Sequence, residues 1–201
     1  GQVVGAQGPD DLYRRIISQW HDPAQVMPGV AEYKGEIWDE AALTAVPDFI
    51  PRMQYYDAAQ YLPDDVLTKV DRASMAVSLE TRLPLLDHRV LAFAWRLPMS
   101  MKMSPGGGKW ILRKLLARYI PPALFERPKM GFGVPVGAWL RGDLREWAGD
   151  LLAESRLRAD GYFDPAPILA AWRAHAAGEA DLSHMIWTIL MFQQWLHETK
   201  A

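Results

Sequence analysis

Apolar residues recur along this chain every three to four positions between proline and glycine breaks, and strand-like alternation is nearly absent. Leu12, Ile16, Ile17 and Trp20 mark a first helix opened by Pro9-Asp10-Asp11. Proline is tolerated in a first turn, and carboxylates favour the positive end of the helix dipole. Residues 21–35 carry Pro23, Pro28 and Gly29 and predict a loop. Short helices are predicted over 38–46 and 51–62, the second closed by Pro63. Pro63-Asp64-Asp65 predicts a fresh start, for a helix carrying Val66, Leu67, Val70, Ala73, Met75 and Ala76. Amphipathic helices follow at 87–97 and 109–120, the latter stopped by Pro121-Pro122. Residues 127–136 are broken by glycine and proline and predict no regular element. Helices return at 139–152, 165–177 and 181–200. No internal repeat, low-complexity tract or charge run is present, and the expected fold class is all-α.

Composition narrows the function. The 201 residues suit one large domain, and a hydrophobic share of 50% is enough for a sizeable core. Lys plus Arg number 22 and Asp plus Glu 24, for a formal net charge of -2, so nucleic acid and anionic membrane are not expected partners. The absence of cysteine excludes disulfides and thiolate catalysis within the chain and permits an intracellular home. No apolar run approaches the roughly 20 residues that span a bilayer. Gly1-Gln2-Val3-Val4 lacks the basic flank and apolar stretch of a signal peptide, and the lack of an initiator Met suggests a fragment or a processed chain. Nine tryptophans either fill a core or face a partner, and a filled core is the plainer reading.

Two segments carry chemistry. The first runs from Tyr61 to His88: a helix bearing Asp65, Lys69, Asp71 and Arg72, then a sharp exit with Glu80 and Arg82 before Pro84. Asp65 and Lys69 are spaced for a helix-face ion pair, and on residue chemistry alone the segment reads first as a solvated charged face with a structural Glu80–Arg82 pair. The second is Arg127-Pro128-Lys129-Met130-Gly131-Phe132-Gly133-Val134-Pro135. Pro128 holds Arg127 extended, Gly131 and Gly133 permit close backbone approach or positive φ, and Lys129 can bring a point charge to a phosphate. An ordinary loop with an exposed lysine is the competing reading. Gly106-Gly107-Gly108-Lys109 lacks the preceding strand and following Ser/Thr of a P-loop and reads as a turn into the next helix. The five histidines show no metal-ligand spacing, and no metal site is expected.

Together, DRASMAVSLETRLPLLDH at 71–88 and RPKMGFGVP at 127–135 resemble two signatures of the asparagine synthetase family of glutamine-dependent amidotransferases, in the same order. The resemblance is closest to the bacterial glutamine-hydrolysing type and covers nearly the whole chain. It implies that residues 1–201 are the helical C-terminal portion of a larger α/β, adenine-nucleotide α-hydrolase-like synthase domain. Enzymes of this family adenylate the aspartate side-chain carboxylate with ATP and Mg²⁺, release pyrophosphate, and let ammonia from glutamine displace AMP to give asparagine. The family's glutaminase cysteine and its Ser-Gly-Gly-x-Asp-Ser pyrophosphate loop have no counterpart here. A fragment inactive by itself is therefore expected, with ATP and Mg²⁺ held mainly by segments outside it.

The resemblance makes Lys129 the expected catalytic residue, stabilising charge that develops during adenylation. Asp65, Asp71, Arg72, Glu80, Arg82, Gly131 and Gly133 are expected to support the substrate and ATP site, with Glu80 and Arg82 ordering it by pairing with each other or with Asp71 and Arg72. Asp65 could belong to the same network, and an acid near the point where ammonia enters could accept its proton after attack. The implied partners are aspartate, glutamine or ammonia, ATP, and the remaining synthase and glutaminase domains of a cytoplasmic, homodimeric parent. Two other functions stay open: an amidotransferase acting on a sugar acid or natural-product peptide, and a non-catalytic helical module that binds a protein through its tryptophans.

Overall fold

A computed structural model describes residues 5–31, 33, 35, 40–128 and 133–200. The described chain is all-α apart from one very short hairpin. Its helices are α1 (Pro9–Ile17), α2 (Glu40–Ala45), α3 (Phe49–Tyr56), α4 (Thr68–Met75), α5 (His88–Arg96), α6 (Met99–Lys102), α7 (Trp110–Leu116), α8 (Val136–Arg141), α9 (Arg145–Leu151), α10 (Glu154–Asp160), α11 (Pro165–Ala176) and α12 (Ser183–Lys200). The hairpin pairs β1 (Met103–Ser104) with β2 (Gly107–Gly108).

Pro63 does not end a helix. A π-helical stretch, Asp57–Leu67, bridges α3 and α4 with the proline inside it. Proline has no N–H and its ring crowds the carbonyl four residues back, and the wider π turn accommodates this defect without breaking the helix. Asp65 lies in that stretch and Lys69 on α4. The expected helix over 139–152 is two helices, because the backbone turns sharply at Gly142 between α8 and α9. Helix α10 was not expected.

The chain divides into two compact units, Gly1–Asp65 with Val134–Ala201, and Val66–Gly133. The first contains the core. Ile186, Ile189 and Leu190 recur on one face of α12 and share a buried core with residues of α8 to α11, including the fully buried Leu140, Leu157 and Ile168. Each such side chain contributes about 1.5–3 kcal/mol through burial. Caps set the helix starts: Asp164 accepts the Ala166 N–H at 3.0 Å, with Pro165 next in line. Val26 joins this core from the first loop, where its carbonyl accepts the Asp164 N–H. Trp20, Trp147, Trp172 and Trp187 pack on the core, whereas Trp139 and Trp195 remain exposed.

Elsewhere in this unit, Arg52 is buried to 8% exposure and spends its fork on two groups. It donates to both Asp10 carboxylate oxygens at 2.8 Å and to the Val46 and Pro47 carbonyls at 2.9 Å. Tyr13 donates to Asp57 at 2.6 Å, and both desolvation and this carboxylate push its hydroxyl pKa well above the usual phenol value.

The second unit is built differently. None of its described residues is buried, and Val77, Phe93, Tyr119 and Leu124 are each more than half exposed.

Candidate active site

The two segments singled out by sequence chemistry both fall largely in the second unit. Helix α4 carries Asp71 and Arg72 and ends in an unusual way: Ser78 adopts a left-handed φ of 57° while the Leu79 N–H reaches back to the Ser74 carbonyl at 2.9 Å. This is the bond pattern of a Schellman cap with serine where glycine is the usual residue, at a conformational cost of roughly 1 kcal/mol. The turn throws the chain out sideways, and residues 79–83 run on without regular structure. Arg82 Nη2 then lies 2.7 Å from Glu80 Oε1, with both side chains largely exposed. The expected pairing between these two residues is present.

The exit ends at Asp87, which caps α5. Its carboxylate accepts the Arg89 N–H at 2.8 Å and both forks of the Arg89 guanidinium at 2.9 and 2.8 Å. The guanidinium first, and the backbone N–H second, hold this carboxyl below the ordinary aspartate range. Asp71, Thr81, Arg82 and Asp87 line an open cleft of about 510 Å³ over Val70 and Leu83. Glu80 and Arg72 are exposed beside these elements and do not line it.

A larger cleft of about 1010 Å³ was not anticipated. Its wall is the β1–β2 hairpin turn, followed by Lys109, Leu112 and Arg113, with Phe125, Arg127 and Pro128 opposite. Gly107 has φ +117°, a conformation that only glycine adopts without strain, which keeps the hairpin tight. The turn does lead into α7, as expected, but Lys109 itself takes a left-handed φ of 63°. A left-handed conformation at a non-glycine residue carries a local conformational cost. Arg113 is 3.3 Å from Glu126, leaving Lys109 and Arg127 as an excess of positive charge above apolar side chains. That donor set fits a ligand with an anionic and an apolar part. Among the described residues no group of three or more acids or histidines gathers that could hold a metal ion. The signal in the sequence was the pair Lys109 and Arg113 on one helical face upstream of Arg127, which only folding brings together.

The cleft ends at Pro128. Lys129 and Gly131 lie outside the described residues. Gly133 is described; it has no positive φ, and a Cβ there would meet nothing within 4 Å.

The family model described as asparagine synthase matches residues 4–197. The chain is 37% identical over 146 residues to the glutamine-hydrolysing asparagine synthetase 1 of Bacillus subtilis, covering 73% of the chain and 23% of that protein. It is 37% identical over 177 residues to a putative glutamine-hydrolysing asparagine synthetase of Mycobacterium bovis, covering 88% of the chain and 25% of that protein. The chain thus spans about a quarter of the length of these relatives. No solved structure matches it.

Proposed function

Because the chain belongs to the asparagine synthase family, we propose that it is the C-terminal helical portion of an ATP-dependent ligase that makes an amide through an acyl-adenylate. The acceptor is aspartate and the nitrogen comes from glutamine by way of ammonia, as the names of its relatives suggest. The observation that carries this reading is the cationic, apolar-floored cleft that ends at Pro128, immediately before Lys129. ATP brings the charge such a cleft is suited to neutralise, together with an apolar base. When bound with Mg²⁺, ATP would supply the adenylyl group that activates the carboxylate, with pyrophosphate as the leaving group.

Lys109 and Arg127 bind and orient the anion, and Lys129 presents its ammonium to the charge that builds during adenylation. Glu80 and Arg82 hold each other across the exit from α4, ordering the chain beside the smaller cleft that Asp71 shares with Arg82. Arg72 and Asp65 flank this region on the same run of helix, and Gly131 and Gly133 leave the backbone around Lys129 free to approach a ligand. The second unit buries none of its described residues, which supports a larger domain in which the remaining synthase segments cover it. Among the described residues no helix is long and apolar enough to cross a membrane. A cytoplasmic, homodimeric parent with a separate glutaminase domain completes the proposal.

The test is pyrophosphate release from ATP by the full-length protein containing this chain, dependent on aspartate and ammonia. Lys129→Ala should lower the rate by about 10²–10³. A variant within twofold of the native rate would refute the role of Lys129. Turnover with another carboxylate but not with aspartate would replace the acceptor and keep the chemistry.

A further inference from the structure

We propose that Glu126 is a positioning residue for Arg113 and sets how loosely the cationic cleft holds a polyanion, an inference that rests on the reading of this cleft as an anion site above. The cleft presents three cations, and one of them already has a carboxylate. Arg113 Nη1 donates to Glu126 Oε1 at 3.3 Å, whereas Lys109 and Arg127 pair with no carboxylate among the described residues. Arg113 lies in the last turn of α7, so the helix fixes its place at the cleft.

Glu126 reaches Arg113 from 13 residues further along the chain, and its backbone is held there. Pro121 caps a 3₁₀ turn, Pro122–Leu124, and the Phe125 and Glu126 N–H groups both donate to the Pro122 carbonyl, at 3.0 and 2.8 Å. Phe125 and Arg127, on either side of Glu126, line the cleft, but Glu126 does not. What Glu126 offers the cleft is its hold on Arg113.

That hold is weak enough to exchange. The two side chains are 41% and 54% exposed, and 3.3 Å is long for a charge-assisted bond, which closes to about 2.7–2.9 Å when strong. An exposed pair of this kind shifts an equilibrium by no more than about fivefold. Phosphoryl oxygens offer a guanidinium a two-pronged contact that the single Glu126 oxygen does not. Lys109 and Arg127 supply the charge for one phosphoryl group, and Arg113, once taken from Glu126, supplies a third cation to an anion with a second group. The exchange leaves the Glu126 carboxylate without its partner, so the gain from the third cation is reduced. In the proposed reaction pyrophosphate must leave after adenylation, and Glu126 keeps its attachment to this cleft loose.

The experiment measures binding of inorganic pyrophosphate and of AMP, by isothermal titration calorimetry without magnesium, to the full-length protein containing this chain. Both side chains of the pair are exposed, so the substitutions leave the core intact, and circular dichroism checks the fold. Glu126→Gln should tighten pyrophosphate binding by about threefold or more and AMP binding by less than about twofold. The gain for pyrophosphate should shrink as salt is raised. Glu126→Asp, which keeps the charge, should lie closer to the native protein than Glu126→Gln does. In an Arg113→Ala background Glu126→Gln should change pyrophosphate binding by less than twofold, because the group it positions is gone. A Glu126→Gln protein within twofold of native pyrophosphate affinity overturns the inference. So does a gain of the same size with and without Arg113, which would mean that Glu126 acts on the anion directly. Lys109→Ala separates this inference from the reading beneath it. If Lys109→Ala weakens both anions and Glu126→Gln is silent, the cleft stands as an anion site and the role of Glu126 falls. If Lys109→Ala changes neither anion, the anion site falls and the inference with it.

Discussion

Replacing Asp10 with alanine tests whether burial, and not charge pairing as such, makes an ion pair matter in this chain. The Arg52 side chain is 10% exposed and the Asp10 side chain 29%, and two bonds of 2.8 Å join them. Removing the carboxylate leaves a buried guanidinium with the Val46 and Pro47 carbonyls as its remaining acceptors. Breaking a buried pair costs about 3–5 kcal/mol. Water reaches the Asp10 side, so the expected loss is about 2–3 kcal/mol. Arg158 and Glu154 form the control: a 2.7 Å pair of the same chemistry, with side chains 65% and 55% exposed. Glu154→Ala should cost about 0.5 kcal/mol or less. Urea denaturation of the two variants, followed by far-UV circular dichroism, gives the comparison. Equal midpoints would refute the burial argument. Arg52→Lys should behave like Asp10→Ala, since an ammonium cannot reproduce a fork that reaches two carboxylate oxygens and two carbonyls.

Leu140 is fully buried, and Leu140→Ala should cost about 2–5 kcal/mol by cavity formation, read from the shift of the urea midpoint. Gly161 closes α10 at φ +75°, so Gly161→Ala should lose roughly 1–2 kcal/mol although a Cβ there would meet nothing, and an unchanged melting temperature would refute the strain. The Asp181 carboxyl is held below its ordinary range by Ser183, so its stabilising contribution is present above the unfolded value and is lost as pH falls through the lower folded value. Acid titration of Asp181→Asn should therefore show a shallower fall in stability below about pH 4 than the native chain.

Helices with strong local punctuation were legible in the sequence. Asp87 was expected to open α5 and does so as its cap, and Asp164-Pro165 marks the start of α11 as clearly. Pro63 misled because a π turn absorbs a defect that would break an α-helix, and no local pattern distinguishes the two outcomes. Gly142 sits inside a run whose apolar spacing continues on both sides, so the break between α8 and α9 was hidden. Helix α10 is short, and Glu154, Arg156 and Arg158 leave it too few apolar positions to show a period. Of the site, the Glu80–Arg82 pair was legible because its members are two residues apart. The cleft around Lys109 was not, because only folding brings the hairpin turn and Arg113 to one cleft with Arg127.

The second unit, with no buried residue among those described, has a consequence for how substitutions there would be tolerated. In α8 to α12, a scan of all substitutions would be dominated by packing, and its most sensitive positions would be the fully buried Leu140, Leu157, Ile168 and Leu190. Across Val66–Gly133 the isolated chain offers almost no core to disrupt. A scan for folding of the isolated chain would be nearly flat there, while a scan for activity of the full-length protein would rise at Phe93, Leu124 and Lys109. The difference between the two profiles would map, residue by residue, the constraint that ligand and neighbouring segments impose.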